Sequence, residues 1–213
     1  MDFDLSTLSA HERYKLFVSL VVPRPIALVT SVSGNGAINA APFSFFNALG
    51  SDPPVVGLGV GNRVSGEPKD TARNIAESGE FAVNLVDEAM AAAMNICAID
   101  LPFGQNELNA AGLTAVPSAQ IQAPYIAQSP ASLECKLRET VQIGNNRILL
   151  GEVVRIHLRD DLFDPELFRV HTHKLGLIGR MHGGGWYART TDLFDMPRWA
   201  SLADAMASDN DER

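Results

Sequence analysis

Short apolar runs separated by turn-forming residues dominate the first part of the chain. Residues 26–32 form an apolar, β-branched run, and residues 33–36, Ser-Gly-Asn-Gly, have the composition of a tight turn. A second run begins at Ala37 and continues to Ala41. Two such runs joined by turn residues are typical of paired strands, so the pattern predicts a β-hairpin.

Four further runs have the same character. Residues 55–60 and 81–86 each predict one strand, and residues 132–141 and 147–158, joined by a turn at residues 144–146, predict a long hairpin. With the first hairpin, these runs make at least six β segments, and the helices between them are short. This balance favours a mainly β, six-stranded antiparallel barrel with flanking short helices over a doubly wound sheet.

Three helices are predicted, over residues 6–20, 68–77 and 88–99. In the first, Ser9 followed by Glu12 matches a capping box. In the second, Gly79 is placed to end the helix. Residues 100–112, rich in Pro, Gly and Asn, follow the third helix as a loop that is long enough to cover a substrate or is simply surface.

The segment over residues 40–47 combines small residues, a hydroxyl, an amide and three phenylalanines directly after a predicted strand. Small side chains let a ligand approach the backbone, Ser44 and Asn47 offer hydrogen bonds, and aromatic rings can cover a flat heterocycle. A plainer interpretation is an edge strand that runs into a core-packed loop. From this segment alone both interpretations stay open.

The start of the second predicted helix is a candidate anion site. A helix N-terminus offers unpaired N–H groups and about half a positive charge, and Lys69, Thr71 and Arg73 lie on or beside its first turns. Together they could hold a phosphate. The alternative is that Lys69, Asp70 and Arg73 form a solvated, self-paired surface.

Residues 169–189 are the third informative segment. His171 and His173 alternate as they would on one face of a strand, but two ligands with no nearby partner of fitting spacing are weak support, and no metal site is predicted. Gly183 to Gly185 give the backbone freedom directly before Trp186. This arrangement suits a loop that closes over a ligand, or a tight turn before a packed aromatic residue.

Composition narrows the class of protein. A chain of 213 residues suffices for one substantial domain. The 17 basic and 25 acidic residues give a net charge of −8, which argues against a general nucleic-acid binder, so any anionic ligand must be held locally. No Walker motif occurs, and Gly57, Gly59 and Gly61 do not complete a dinucleotide fingerprint, because position 62 is Asn.

Cysteine usage and the N-terminus point to an ordinary cytoplasmic protein. Cys97 and Cys135 lie far apart and outside any metal or redox spacing, so both are interpreted as small buried hydrophobes. We find no signal peptide and no apolar stretch of about 18 residues, and therefore expect a cytoplasmic protein with no membrane association.

Several motifs, taken in order, resemble the flavin reductase-like, FMN-binding split-barrel family. The motifs are RPIALVTS, NAAPFSFFN, DPP before a strand, PKDTARNI followed by FAVNL, and HGGGWYAR. They cover most of the chain, from residue 21 to residue 189. The resemblance implies an N-terminal helical segment over residues 1–20, one split-barrel domain over residues 21–200, and an acidic, disordered tail over residues 201–213.

The resemblance also implies a homodimer that binds FMN near the subunit interface. The isoalloxazine and ribityl chain would be lined by Thr30, Ser31, Ala41, Ser44, Phe45, Phe46 and Asn47. The phosphate or ribityl hydroxyls would be held by Asn62, Lys69 and Thr71. The flavin ring would be approached by His182, Tyr187 and Arg189, from the same or the partner subunit.

The reaction implied is hydride transfer from NAD(P)H to FMN by an oxidoreductase, as in the reductase component of a two-component monooxygenase system. Backbone N–H groups or Arg189 are candidates for stabilising negative charge on the reduced ring, and no general acid or base is assigned. The alternatives are an FMN-bound electron carrier without NAD(P)H turnover and a barrel that binds another ligand, such as pyridoxal phosphate or haem.

Overall fold

A computed structural model describes residues 1–99, 106–196 and 198–201. These residues form a mainly β, antiparallel fold with short helices. The α-helices are α1 (Ala10–Leu20), α2 (Asp70–Ser78), α3 (Ala91–Ile96) and α4 (Glu107–Ala111). Short 3-10 helices occur at Leu5–Thr7, Asp160–Leu162 and Thr172–Lys174. None of the described helices is long and apolar enough to cross a membrane.

Fourteen strands are described, and seven of them form the main sheet. The main-sheet strands are β2 (Ala27–Val32), β3 (Ile38–Phe43), β4 (Phe46–Ser51), β5 (Pro54–Gly61), β6 (Glu80–Leu85), β9 (Ala131–Ile143) and β10 (Asn146–Leu158). The short strands are β1 (Arg24–Pro25), β7 (Ala115–Val116), β8 (Tyr125–Ile126), β11 (Phe163–Asp164), β12 (Arg169–Val170), β13 (Ile178–Arg180) and β14 (Tyr187–Arg189).

The main sheet has the order β3-β2-β6-β9-β10-β5-β4, and each neighbouring pair is antiparallel. Both predicted hairpins, β2 with β3 and β9 with β10, are confirmed. The predicted count of six strands is wrong for this sheet, because β4 is a seventh strand where a loop and a turn were expected. Its sequence, FNALGS, lacks the apolar alternation of a strand, but its backbone pairs with β5 from Phe46 opposite Leu58 to Ser51 opposite Pro54.

Three other sequence predictions need correction. The helix expected over residues 88–99 is shorter, spanning only Ala91–Ile96. Residues 100–105 of the expected loop lie outside the described residues, and α4 follows them. His173 lies in a 3-10 helix with His171 at its N-cap, so the expected strand alternation does not exist.

The capping predictions are confirmed. Ser9 caps α1 and forms the reciprocal capping box with Glu12. Because the N-cap residue itself has an extended backbone, the helix begins at Ala10. Gly79 ends α2 in the left-handed conformation, with φ of 70°.

Successive residues of β2 enter two different cores. Val29 packs with Leu58 and Phe81 in a cluster formed by strands from both ends of the sheet order. Strands β3 and β5 also touch, although four strands separate them in that order, so the sheet curls around this cluster. Leu28 faces the other way, into a cluster with residues from α3 and α4. Because strand side chains alternate, β2 is covered on both faces.

The two cysteines are buried and free, as the sequence predicted. Cys97 belongs to the helix-side core and Cys135 to the interior of the curled sheet. Burial raises the pKa of the Cys97 thiol to about 11 and that of Cys135 to about 12. Neither thiol is a nucleophile at neutral pH.

A buried amide joins the strands at the centre of the sheet. Asn84 on β6 donates from Nδ2 to the Leu28 carbonyl at 2.9 Å and to the Thr30 hydroxyl at 3.3 Å. Its Oδ1 accepts from the Ile126 N–H and the Ser132 hydroxyl, both at 2.8 Å. The side chain is fully buried, and it connects β2, β8 and β9 through β6.

We expect Asn84→Ala to lower the free energy of unfolding by about 3 kcal/mol or more, because it leaves several buried polar groups without partners. Chemical denaturation of both proteins measures the change. Asn109→Ala is the matched control, since Asn109 is exposed on α4 and its substitution should change stability by no more than about 0.5 kcal/mol. Equal unfolding midpoints for Asn84→Ala and the wild type would contradict the role of this amide.

Candidate functional site

Three adjoining hollows meet at Pro42 and Phe43, at the end of β3. The α2 hollow, of about 190 Å³, lies between β3 and the start of α2. The α1 hollow, of about 660 Å³, lies between α1 and strand β5. The β13 hollow, of about 250 Å³, lies against β1, β13 and β14. All three share these two residues, so the hollows adjoin one another, and together they are called the groove.

The α2 hollow has basic and polar groups that suit an anion, and the two carboxylates that also line it are engaged, Asp70 by arginine and Glu107 by the Ala40 N–H. Lys69 is the N-cap residue of α2 and Thr71 is in its first turn. The Thr71 hydroxyl accepts a hydrogen bond of 3.0 Å from Nδ2 of Asn39, and both residues line the hollow. Asn39, Ala41 and Phe43 alternate along β3, which brings all three to this face.

The charges around the start of α2 are divided between paired and unpaired groups. Asp70 contacts both Arg63, at 2.5 Å, and Arg73, so this part of the surface is self-paired. Lys69 has no carboxylate contact among the described residues, and its ammonium lies 5.7 Å from the centre of the Phe43 ring. The self-paired interpretation is therefore correct for Asp70 and Arg73, and it does not describe Lys69.

The α1 hollow is walled by aromatic side chains. Phe17 of α1 and Phe45 meet edge to face, with ring centroids 6.3 Å apart. Phe45 lies over Gly59, where a Cβ atom would come within 2.9 Å of the Phe45 Cβ. The Gly59 N–H also donates to the Phe45 carbonyl at 2.7 Å. Gly59, one of the β5 glycines that do not complete a dinucleotide fingerprint, here makes room for Phe45 in the bend after β3.

The β13 hollow contains two arginines. Arg24 is 5% exposed, and its Nε donates to the Ser44 hydroxyl at 3.3 Å. The guanidinium of Arg180 lies 4.7 Å from the centre of the Tyr187 ring. Tyr14 of α1 completes the wall.

The groove contains several of the residues that the sequence singled out. Of the predicted site residues, those that line at least one of the three hollows are Ala41, Ser44, Phe45, Lys69, Thr71 and Tyr187. They come from β3, the bend after it, α2 and β14, so the fold brings together residues far apart in the chain.

Thr30 and Ser31 lie outside the groove. Both are fully buried in β2. The Thr30 hydroxyl donates to the Pro124 carbonyl at 2.5 Å, and the Ser31 hydroxyl accepts from Nδ2 of Asn74 at 3.2 Å. Their hydroxyls therefore connect structural elements in this chain, and for both residues a role in lining the flavin stays a prediction.

Three other predicted residues do not line the described hollows. Phe46 packs against the interior core. Asn47 is exposed on β4, and its side chain accepts from the Ala48 N–H at 2.9 Å. The Asn62 side-chain oxygen accepts a hydrogen bond from Arg147. For these residues a role in ligand binding stays a prediction.

His182 and Arg189 also stay apart from the described hollows. The His182 ring is 5.9 Å from that of Trp186, across the glycine-rich segment. Arg189 is exposed and binds Glu88 through two contacts, at 2.7 Å from Nε and 2.5 Å from Nη2. This pairing lowers the pKa of Glu88 and neutralises the charge that had made Arg189 a candidate for stabilising a reduced ring.

Sequence reasoning did not select Asn39, Arg24 or Arg180. Asn39 and Arg24 lie inside motifs that were noticed, but the apolar pattern draws attention to their neighbours. Asn39, Ala41 and Phe43 are spaced two residues apart, as residues on one face of a strand are. This spacing is the signal that would have identified the Asn39 amide. Nothing in the sequence brings Arg180 next to Arg24, because that pairing joins residues 156 positions apart.

A second polar cluster, away from the groove, is satisfied internally. Glu134 is fully buried and accepts from the N–H groups of Ala119, at 2.8 Å, and Gln120, at 2.7 Å, and it contacts His157 Nε2 at 2.5 Å. Burial alone would raise the pKa of Glu134, but these partners outweigh it and lower the pKa. The pair holds the segment before β8, and no three potential metal ligands come together in the described residues.

Comparison with known proteins agrees with this geometry. The sequence model described as "Flavin reductase like domain" matches residues 19–176. Nitrilotriacetate monooxygenase component B from Bacillus cereus is 34% identical, with a TM-score of 0.87 over 92% of this chain and 98% of that one. The 2-nitrobenzoate 2-nitroreductase NbaA of Pseudomonas fluorescens is 37% identical, with a TM-score of 0.86 over 95% of this chain and 98% of that one.

The fold itself extends to more distant proteins. A protein from Shewanella frigidimarina with a split barrel domain has 20% identity and a TM-score of 0.80, over 93% of this chain and all of that one. Most of the present chain, including β2 to β6, lies inside the matched family region, whereas the α1 wall of the groove and the residues Arg180 and Tyr187 lie outside it. The chain belongs to the flavin reductase-like, split-barrel family.

Proposed function

We propose that this protein is a cytoplasmic FMN-binding oxidoreductase that transfers hydride from NAD(P)H to the flavin. Membership of the family supports a flavin reductase-type activity. The observation that carries the more specific proposal is Lys69, a cation without a carboxylate contact in the described chain, beside Thr71 at the start of α2 and above the Phe43 ring.

The α2 hollow suits the phosphate of FMN. Lys69 supplies a full positive charge, and Thr71 lies in the first turn of α2, where N–H groups and the helix dipole favour an anion. The Asn39 amide bonds to the Thr71 hydroxyl and so fixes its position. A phosphate monoester, with nearly two negative charges, matches this set of donors better than a neutral ligand does.

The α1 hollow suits the ring system. It is larger than the α2 hollow and joins it at Phe43 and Lys69. Phe17, Phe45 and Pro42 offer apolar surface, and the close contact between Gly59 and Phe45 keeps the backbone within reach of a flat ligand. FMN therefore has an anion site at one end of the groove and an aromatic slot at the other.

The chain's own residues would bind and orient the flavin, and the bound flavin would supply the two-electron chemistry. Lys69 and Thr71 would fix the phosphate end, and the aromatic wall of Phe17 and Phe45 would exclude water from the ring. Orientation of this kind raises the rate by keeping the reacting groups at short range. We assign no general acid or base, since no titratable side chain in the groove is needed for the transfer of a hydride.

We further propose that the protein is a homodimer and that it serves a flavin-dependent monooxygenase or another electron acceptor. The similarity to a monooxygenase component B supports the second part. For the first part, Phe17 and Phe45, which line the α1 hollow, are 57% and 40% exposed, and Leu49 on β4 is 59% exposed. An exposed apolar group of this kind is typical of an interaction surface.

Steady-state oxidation of NADH and NADPH by the purified protein, with FMN or FAD added in turn, tests the main proposal. We expect a rate that rises with FMN and saturates, together with flavin absorbance changes on binding. Tight FMN binding without any oxidation of either nucleotide would instead select an FMN-bound electron carrier. Absence of flavin binding would contradict both functions.

We expect Lys69→Ala to weaken FMN binding by about 1.5–3 kcal/mol, the range of one charge-assisted hydrogen bond, which corresponds to roughly 10- to 150-fold in Kd. Fluorescence titration of FMN measures it. Lys136→Ala, which removes an exposed lysine of β9 outside the groove, is the control and should bind as the wild type does. Unchanged affinity in Lys69→Ala would refute the phosphate assignment.

A further inference from the structure

Two arginines face each other across a strand pair. Arg24 of β1 is the direct cross-strand partner of Arg180 of β13, and Arg180 is in turn the partner of Tyr187 on β14. Like charges in directly opposed positions destabilise a sheet. The three side chains form a row across this small sheet, and all three line the β13 hollow.

The Arg24 guanidinium is held in place and still has free donor capacity. Its Nη1 donates to the carbonyls of Val18, at 2.5 Å, and Val21, at 2.8 Å, while Nε donates to Ser44. Nη2 makes no hydrogen bond to any described residue. No fully buried side-chain nitrogen or oxygen in the described part of the chain lacks a partner, so Nη2 keeps some exposed surface, and Arg24 lines the hollow.

Within residues 1–99, 106–196 and 198–201, no acid neutralises this pair. Among the described residues that line the β13 hollow there is no Asp or Glu, and neither arginine has an ion pair with a described carboxylate. Burial lowers the pKa of the Arg24 guanidinium, Tyr14 offsets part of this, and the charge of Arg180 lowers it further. An anion between the two guanidinium groups would remove the repulsion.

We propose that the β13 hollow is a subsite for a small aromatic carboxylate, held by Arg24 and Arg180 with its ring against Phe43 and Tyr187. Planar guanidinium groups match the two oxygens of a carboxylate. The other walls include Ile26 and Met94, which are apolar, and Tyr14. A volume of about 250 Å³ is just below the usual range for drug-sized ligands, so the occupant is small.

The subsite adjoins the α1 and α2 hollows, which are the part of the groove proposed for FMN. It shares Pro42, Phe43 and Ser44 with the α1 hollow, and Ser44 binds Arg24 directly. A carboxylate ligand would therefore lie beside the flavin ring, in position to be a substrate or an effector. This consequence rests on the proposed function, whereas binding of the anion itself does not.

Benzoate is the probe. Calorimetric titration into the full-length protein, first alone and then saturated with FMN, should detect binding to both forms. We expect Arg180→Met to weaken benzoate binding by roughly 10-fold or more, the effect of losing one charge-assisted contact, with FMN affinity within about twofold of the wild type. Arg155→Met, which changes an exposed arginine of β10 far from the hollow in sequence, should bind benzoate as the wild type does.

Arg180→Lys gives a second measurement, because it keeps the charge and loses the planar fork; we expect an intermediate loss of benzoate affinity. Thermal unfolding of each variant establishes that it is folded. The proposal is overturned if the wild type binds FMN but not benzoate, or if inorganic phosphate binds more tightly than benzoate. It is also overturned if both Arg180 variants bind benzoate with the affinity of the wild type.

The same titrations separate this proposal from the flavin assignment. Displacement of benzoate by FMN in simple competition would assign the two arginines to the flavin phosphate and overturn the subsite. Benzoate binding that depends on Arg180, in a protein that binds no flavin, would leave the subsite standing and remove the proposed function.

Discussion

The buried amide of Asn84 is the constraint on which the rest of the structure depends. Its Nδ2 donates to β2 on one side, and its Oδ1 accepts from β8 and β9 on the other. A shift of one residue in either strand pair would leave these groups unpaired in a dry interior, and it would also turn each side chain to the wrong face. The register of β2 in turn positions β3, whose end carries the groove.

From that register the groove follows by simple alternation. Asn39, Ala41 and Phe43 face α2 because they are two residues apart, whereas Ala40 packs into the other core. Gly59 on β5 then admits Phe45, so the chain can bend sharply after β3 and return as β4. The bend produces both an edge strand and the aromatic wall, which is why one stretch of sequence supported two different interpretations.

The groove differs in charge from the acidic chain as a whole. The net charge is −8, and cations such as Arg73 and Arg189 have carboxylate partners. Lys69, Arg24 and Arg180 do not, within the described chain, and all three line the groove. Lys69 is exposed, whereas Arg24 is buried and Arg180 half-buried; uncompensated charge in such buried positions costs stability, which favours an anion beside the two arginines.

Local sequence determined the helix caps at Ser9 and Gly79, the two hairpins, the burial of both cysteines and the family motifs, because each depends on neighbours within a few positions. It also identified Lys69, Thr71, Ser44 and Phe45, since their chemistry is unusual for their setting. Only the tertiary structure decided that β4 is a strand, that Thr30 and Ser31 serve the interior, and that Arg24 opposes Arg180. These depend on backbone pairing and on contacts between distant segments, for which single-chain periodicity carries no signal.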